Sequence, residues 1–228
     1  MNEPASLEPA RRYRGSSAEE RRRRRREQLI LAAIQVYGER GYRNSTVKAV
    51  CDAAGLTERY FYESFANSEA LLVASYRGVT QRLLKALREA GEGSGRPEDR
   101  VRAVLVRYFE ALRGEPRSAR LFLVEIAGVS AELDRVFAAS LGEFGLLLEE
   151  LLDIEAGDPM LRTAVVGGVI HLALHWVARD FAEPLDAVAE AALQLCLLPA
   201  GALDKEGLRG GRSPAKLPEQ LVPGGGSS

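Results

Sequence analysis

Six side chains between Thr46 and Tyr62 have the chemistry of a surface that reads nucleic acid: Thr46, Lys48, Thr57, Arg59, Tyr60 and Tyr62. A guanidinium such as Arg59 can bond guanine through two parallel contacts, and a pair of that kind discriminates by about 1–3 kcal/mol. The hydroxyls of Thr46, Thr57 and Tyr62 suit phosphate oxygens, and Lys48 adds a point charge. Such backbone contacts position a protein on a duplex without specifying sequence. Tyr60 is a further groove candidate. Just upstream, nine arginines lie between Arg11 and Arg26 against only Glu19 and Glu20. The run Arg21–Arg26 can be a solvated helix start, a DNA arm or a membrane-surface segment. A solvated start would be repelled by its own charge. A membrane segment needs an apolar face, and the helix that follows uses that face as core. The arm, with Arg22, Arg23 and Arg26 as contacts, would add phosphate or minor-groove bonds and steepen salt dependence.

Positioning those residues requires two short helices meeting at a tight turn, so that the second can lie in a major groove. The spacing of Leu29, Ala33, Val36 and Tyr37 predicts a helix over 19–40, ended by Gly41. Ser45 or Thr46 can cap a second helix running to about Ala53. Gly55 permits a left-handed turn, and Thr57 can cap a third helix ending near Ser64–Phe65. Ala49, Cys51, Ala53 and Ala54 are small enough for close helix approach. Val47, Val50, Leu56, Phe61 and Phe65 can form the unit's own core. Asn67 or Ser68 then caps a longer helix to about Glu89, with Glu69 on its N-terminal dipole.

The sequence here resembles the TetR family of transcriptional regulators. The residues that carry the resemblance are Tyr37-Gly38, Gly41-Tyr42, Thr46, Ala54-Gly55-Leu56-Thr57, Tyr62-Glu63-Ser64-Phe65 and Asn67-Ser68-Glu69-Ala70-Leu71-Leu72. They span about residues 27–73 in the family's order and spacing. Three positions depart from the pattern. Ser68 stands where the family usually has a phosphate-binding lysine, Arg59 where a small residue is common, and Cys51 where alanine is usual. The resemblance implies that Tyr62 contacts phosphate, with packing between helices as its other reading. Cys51 reads as a small buried residue.

Beyond the break at 91–97, apolar helical patterns occur at roughly 98–113, 117–128, 130–152, 159–181 and 185–198, with no sustained strand alternation. The fold class expected is all-α: an N-terminal helix-turn-helix followed by a larger helical body. The expected division is a flexible arm over 1–18, a DNA-binding domain over 19–67, a ligand-binding and dimerisation domain over 68–200, and a disordered tail over 204–228. The stretch Val165–Val177 is apolar nearly all round and asks for burial on more than one side. The resemblance implies that the last two long helices form a two-fold, four-helix dimer interface, for which Val169, Leu172, Leu193 and Leu197 are the candidates. It also implies a cavity in the body. Tyr108, Phe109, Phe122, Phe137, Phe144 and Trp176 could line that cavity or pack as ordinary core. His171 and His175, four apart on one helix face, could orient a ligand there. No third residue joins them at metal-ligand spacing, so no metal is expected.

The 228 residues carry a net charge of -1, with 46% hydrophobic and 28% charged residues, an ordinary balance for a globular chain with a sizeable core. With the arginines gathered at one end, the remainder is acidic, which suits a body that should not adhere to DNA. Cys51 and Cys196 form no zinc or disulfide pattern, so a cytoplasmic location is expected. No apolar run of membrane-spanning length is free of charge or glycine, and no membrane partner is expected. The body shows no phosphate loop, nucleophile elbow or carboxylate cluster, so the chain reads as a non-enzyme without cofactor. The expectation is a homodimeric regulator, most simply a repressor released from a pseudo-palindromic double-stranded DNA operator by a small, largely apolar effector. The alternative is an architectural or protein-partnered DNA-binding protein with no such effector.

Overall fold

Short polar side chains and one glycine turn set the helix ends in the N-terminal third. Thr46 caps α2 (Val47–Ala54), its hydroxyl oxygen accepting from the Ala49 amide at 3.1 Å. Gly55 follows with φ +64, the left-handed conformation that ends α2 and turns the chain into α3 (Glu58–Ser64). Asn67 caps α4 (Ser68–Gly91), accepting from the Ala70 amide at 2.8 Å. Ahead of them lies α1 (Arg12–Arg40). The body adds α5 (Pro97–Gly114), α6 (Pro116–Arg120), a π-helical turn (Leu121–Glu125), α7 (Ala131–Leu151), α8 (Pro159–Ala178) and α9 (Leu185–Leu203). The computed structural model describes residues 12–203 apart from 94, 127, 155 and 156, and for 12–16 and 199–203 it describes the backbone alone. The described residues contain no strand, and the fold is all-α as expected.

Two elements differ from the expectation. Helix α1 starts at Arg12 rather than at residue 19, so residues 12–18 are helical. Arginine is a good helix former, and farther along α1 Arg24–Glu20 and Arg23–Glu27 pair one turn apart. The rest of the expected arm, and the 204–228 tail, lie outside the described residues. The segment 117–128 is not one α-helix. After Arg120 it widens into the π turn, where Leu121, Phe122 and Leu123 are buried in succession. The turn brings Phe122 to the body's apolar interior while Glu125, three residues on, meets the Tyr42 amide at 2.7 Å.

In the head, α1, α2 and α3 pack on one another around Leu29, Ala33, Tyr37, Val50, Phe61 and Phe65, all buried. Helix α4 leaves this cluster and packs in turn on α1, α5 and α7. In the body, α5 lies on α9, and α8 bridges α7 and α9. Arg102 of α5 pairs with Glu190 of α9, and Arg162 of α8 pairs with Glu149 of α7 at 2.8 Å. Helix α1 reaches the body at Gly38. A Cβ there would come within 2.7–2.8 Å of the Arg117 backbone and Cβ, so only glycine lets α1 and α6 approach this closely.

Helix α8 stands apart in composition. By length and hydropathy it is long and apolar enough to cross a bilayer, Arg162 and the two glycines notwithstanding, yet only 22% of that stretch is buried. Met160, Leu161 and, on α9, Leu198 are exposed large apolar side chains.

Candidate nucleic-acid interface and effector cavity

The head presents α3 outward. Its inner face, Phe61 and Phe65, is sealed against α1 and α2. Thr57, Arg59 and Tyr62 are exposed on the outer face. Arg59 is 84% exposed and held only by an ion pair to Glu63 one turn on, at 3.2 Å. Pairs of this kind at full exposure are weak, and a base or phosphate can displace them. Tyr62 is 60% exposed, its ring packing edge-on against Phe61. Thr57 precedes α3 and makes no side-chain cap bond. Lys48 pairs with Asp52 at 2.8 Å, and that hydrogen bond holds its ammonium above the usual lysine range. The Thr46 oxygen already serves as the α2 cap.

Other head candidates are engaged by neighbouring groups of the protein. Tyr60 is half-buried, with the Arg25 guanidinium 4.4 Å above its ring, so it packs toward α1 rather than outward with Arg59. Arg22 donates to the Glu63 carbonyl at 3.1 Å and Arg26 to the Ser64 carbonyl at 2.7 Å. Both are thus engaged by the protein itself, whereas Arg23 is exposed beside Glu27 at 3.8 Å. Ser68 shares a hydrogen bond with the Tyr42 hydroxyl at 3.2 Å, which supports the start of α4 from within.

In the body a cavity of about 70 Å³ lies between α4, α5, α7, α8 and α9. Tyr108, Phe122, Phe144, Val169 and Cys196 are among its lining residues, and the wall is otherwise aliphatic. The Tyr108 hydroxyl is buried there with no hydrogen-bond partner, and burial, with Tyr76 nearby, pushes its phenol above the usual range. Burial likewise pushes the Cys196 thiol up to about 12. Of the other aromatic candidates, Phe109 and Trp176 stack edge-to-face behind the cavity, centroids 5.5 Å apart, with the Trp176 indole donating to the Glu183 carbonyl at 2.9 Å. Phe137 packs beside Tyr76 instead. His171 and His175 are exposed on the outer side of α8 and do not reach the cavity. The aliphatic lining residues carried no sequence signal, since a leucine beside a cavity has the same periodicity as one in a filled core.

The interface candidates also divide by helix phase. Leu193 is 1% exposed and belongs to the chain's own core, and Val169 faces the cavity. Leu172 and Leu197 are half-buried. The exposed stripes are Ala164, Gly167, His171 and His175 on α8, and Ala187, Ala191, Gln194 and Leu198 on α9. Each repeats at three- and four-residue steps, which puts it on one helix face.

The π turn joins cavity to head. Phe122 lines the cavity, and three residues later the Glu125 carboxylate accepts from the Tyr42 amide at 2.7 Å while Arg120 pairs with its other oxygen at 3.2 Å. Around this contact Arg117 pairs with Glu39 at 2.7 Å, Arg43 donates to the Gly128 carbonyl at 3.2 Å, and Ser130 bonds to Glu69.

Residues 29–75 match the family model described as bacterial regulatory proteins, tetR family. Over 84 residues the chain is 30% identical to the HTH-type transcriptional repressor KstR2 of Mycobacterium tuberculosis, covering 37% of this chain and 42% of that protein. Over 171 residues it is 24% identical to the HTH-type transcriptional activator FasR of Mycolicibacterium smegmatis, covering 73% of this chain and 78% of that one. The fold is similar to that of the transcriptional regulator FadR from Bacillus subtilis, solved in complex with stearoyl-CoA. The TM-score is 0.66 at 22% identity, over 75% of this chain and 97% of that one.

Proposed function

We propose that this chain, a transcriptional regulator of the tetR family, acts as a homodimer that represses transcription from a pseudo-palindromic operator until an apolar effector enters its body. The observation that carries the DNA reading is α3 itself. Its inner face is sealed, and its outer face offers Arg59, Tyr62 and Thr57 to a groove. One such helix reads a short site. Two, related by a two-fold axis and set about 34–36 Å apart, read a palindrome. In this reading residues 19–67 are the DNA head and 68–200 the body, with α4 shared between them.

The effector reading rests on the cavity. Its wall is apolar, and the unpartnered Tyr108 hydroxyl is a donor awaiting an acceptor. A chain of methylenes ending in a carbonyl, as in an acyl thioester, has that chemistry, and stearoyl-CoA occupies the B. subtilis regulator of similar fold. At about 70 Å³ the space is well below the roughly 300–1,000 Å³ of a typical ligand site. An acyl chain therefore has to part the lining helices. The state it binds is not the closed one described here, and that difference in affinity is what a ligand needs in order to shift an equilibrium. Displacement of Phe122 would pass through the π turn to Glu125 and the Tyr42 amide, and so to the head.

Selection of duplexes from random DNA with the full chain, followed by titration of the recovered site with acyl-CoAs of increasing length, tests both parts. The expected result is a palindromic site from which long acyl-CoAs release the protein and coenzyme A alone does not. No recovered sequence would end the DNA reading, and indifference to every acyl-CoA would end the effector class. In a transcription assay on that site, a rise on adding the protein would make it an activator, as FasR is named.

A further inference from the structure

The six arginines Arg21–Arg26 do not act as one basic arm. Arg22, Arg25 and Arg26 recur at the three- and four-residue steps that share a helix face, and that face lies on the C-terminal end of α3. Arg26 donates to the Ser64 carbonyl at 2.7 Å and stacks over the Phe65 ring at 4.1 Å. Arg22 donates to the Glu63 carbonyl at 3.1 Å. Arg25 lies 4.4 Å over the Tyr60 ring and 3.7 Å from the Glu63 carboxylate, and its side chain is only 23% exposed.

Each contact answers a need of α3. The last carbonyls of a helix have no partner within it, and its C-terminal end carries partial negative charge. Helix α3 has seven residues, too few to hold its shape alone in water. Its direction therefore depends on what grips it. Phe61 and Phe65 hold its underside, and the three guanidiniums hold its end and the ring of Tyr60. Glu63 receives Arg25 from α1 and Arg59 from α3 itself, at 3.7 and 3.2 Å, so the grip reaches the residue best placed to read bases.

We infer that Arg22, Arg25 and Arg26 are positioning residues that fix the angle at which α3 enters the groove, and that they do not contact DNA phosphates. The inference rests on the DNA reading above. A flat guanidinium is essential to it, because at Arg26 one plane both donates to a carbonyl and stacks on a ring, and at Arg25 one plane both lies over a ring and meets a carboxylate. An ammonium keeps the charge but cannot do both.

The test uses the full chain and the duplex recovered by selection with the unaltered protein. Arg26→Lys and Arg25→Lys, each with an unchanged helical circular-dichroism spectrum, are expected to bind that duplex at least tenfold more weakly. The dependence of log affinity on log salt should keep its slope, since no phosphate contact is lost. Renewed selection with either variant is expected to return a broadened or shifted sequence preference, which general destabilisation would not produce. Arg26→Ala should behave alike; where it fails to fold, the lysine variants decide. Full binding by the lysine variants, an unaltered preference, or an alanine slope flattened by about 0.9 for the lost contact would each overturn the inference. Failure of the unaltered protein to select any sequence would instead remove the DNA reading beneath it.

Discussion

Tyr108 is the sharpest case at the scale of the residue. Its aromatic type and helical spacing suited core and cavity equally, and only its surroundings separate the two. A buried hydroxyl without a partner costs about 1–3 kcal/mol, and an acceptor oxygen brought into the cavity by an effector would remove that cost. Tyr108→Phe is therefore expected to stabilise the effector-free protein by about 1 kcal/mol, read as a higher urea midpoint with an unchanged slope. The same variant should need several-fold more acyl-CoA for release from DNA. A fall in stability would mean that the hydroxyl has a partner after all. Arg59 is the opposite case: exposed, weakly tethered and legible from sequence alone. Arg59→Ala is expected to relax base preference at one position of each half-site while leaving the fold intact. An unchanged preference in selection would remove Arg59 as a reader.

At the scale of the element, the π turn Leu121–Glu125 carries the connection between cavity and head. Phe122 at its second position faces the cavity, and Glu125 at its last holds the Tyr42 amide across 83 residues of sequence. A hydrogen bond to a charged acceptor contributes about 1.5–3 kcal/mol. Glu125→Ala is expected to cost an amount of that order in chemical denaturation. More tellingly, it should shrink the ratio of DNA affinities measured without and with effector, because the head no longer feels the turn. If that ratio is unchanged, coupling runs through α4 alone. The periodicity of 117–128 predicted one regular helix. It could not show the widening, which depends on how this segment meets α1, α4 and α8.

For the whole molecule, the question is what covers α8 and α9. The exposed stripes through Gly167 and His171 on one and Ala191 and Leu198 on the other are small or apolar enough for close packing against a second copy. Ala191→Arg is expected to give a folded monomer by sedimentation, with operator affinity lost because the two heads are no longer joined. Leu193→Ala is expected to do the reverse. It should cost about 2–5 kcal/mol of stability as a core truncation and leave the association of the proposed dimer unchanged. A monomer from Leu193→Ala, or a dimer from Ala191→Arg, would place the interface elsewhere.

The sequence by itself determined the class of fold and the helix-turn-helix, and it marked Thr57, Arg59, Tyr60 and Tyr62 as groove candidates, of which the structure turns Tyr60 toward α1. These depend on local rules: cap residues, a glycine that tolerates positive φ, and helical periodicity across a short span. It also showed that the region of α8 and α9 needs burial on more than one side, because an excess of apolar surface is a compositional fact. Which of those residues face outward was decided by tertiary structure, since a helix apolar all round has no phase to read. Tertiary structure alone turned His171 and His175 away from the cavity, put Leu193 in the core and left the Tyr108 hydroxyl unpartnered. It likewise engaged Arg22, Arg25 and Arg26 with α3 and left Arg23 and Arg24 paired along α1. Each of these outcomes depends on how separate helices meet, and a guanidinium carries the same charge in sequence whether it meets a phosphate or the end of a neighbouring helix.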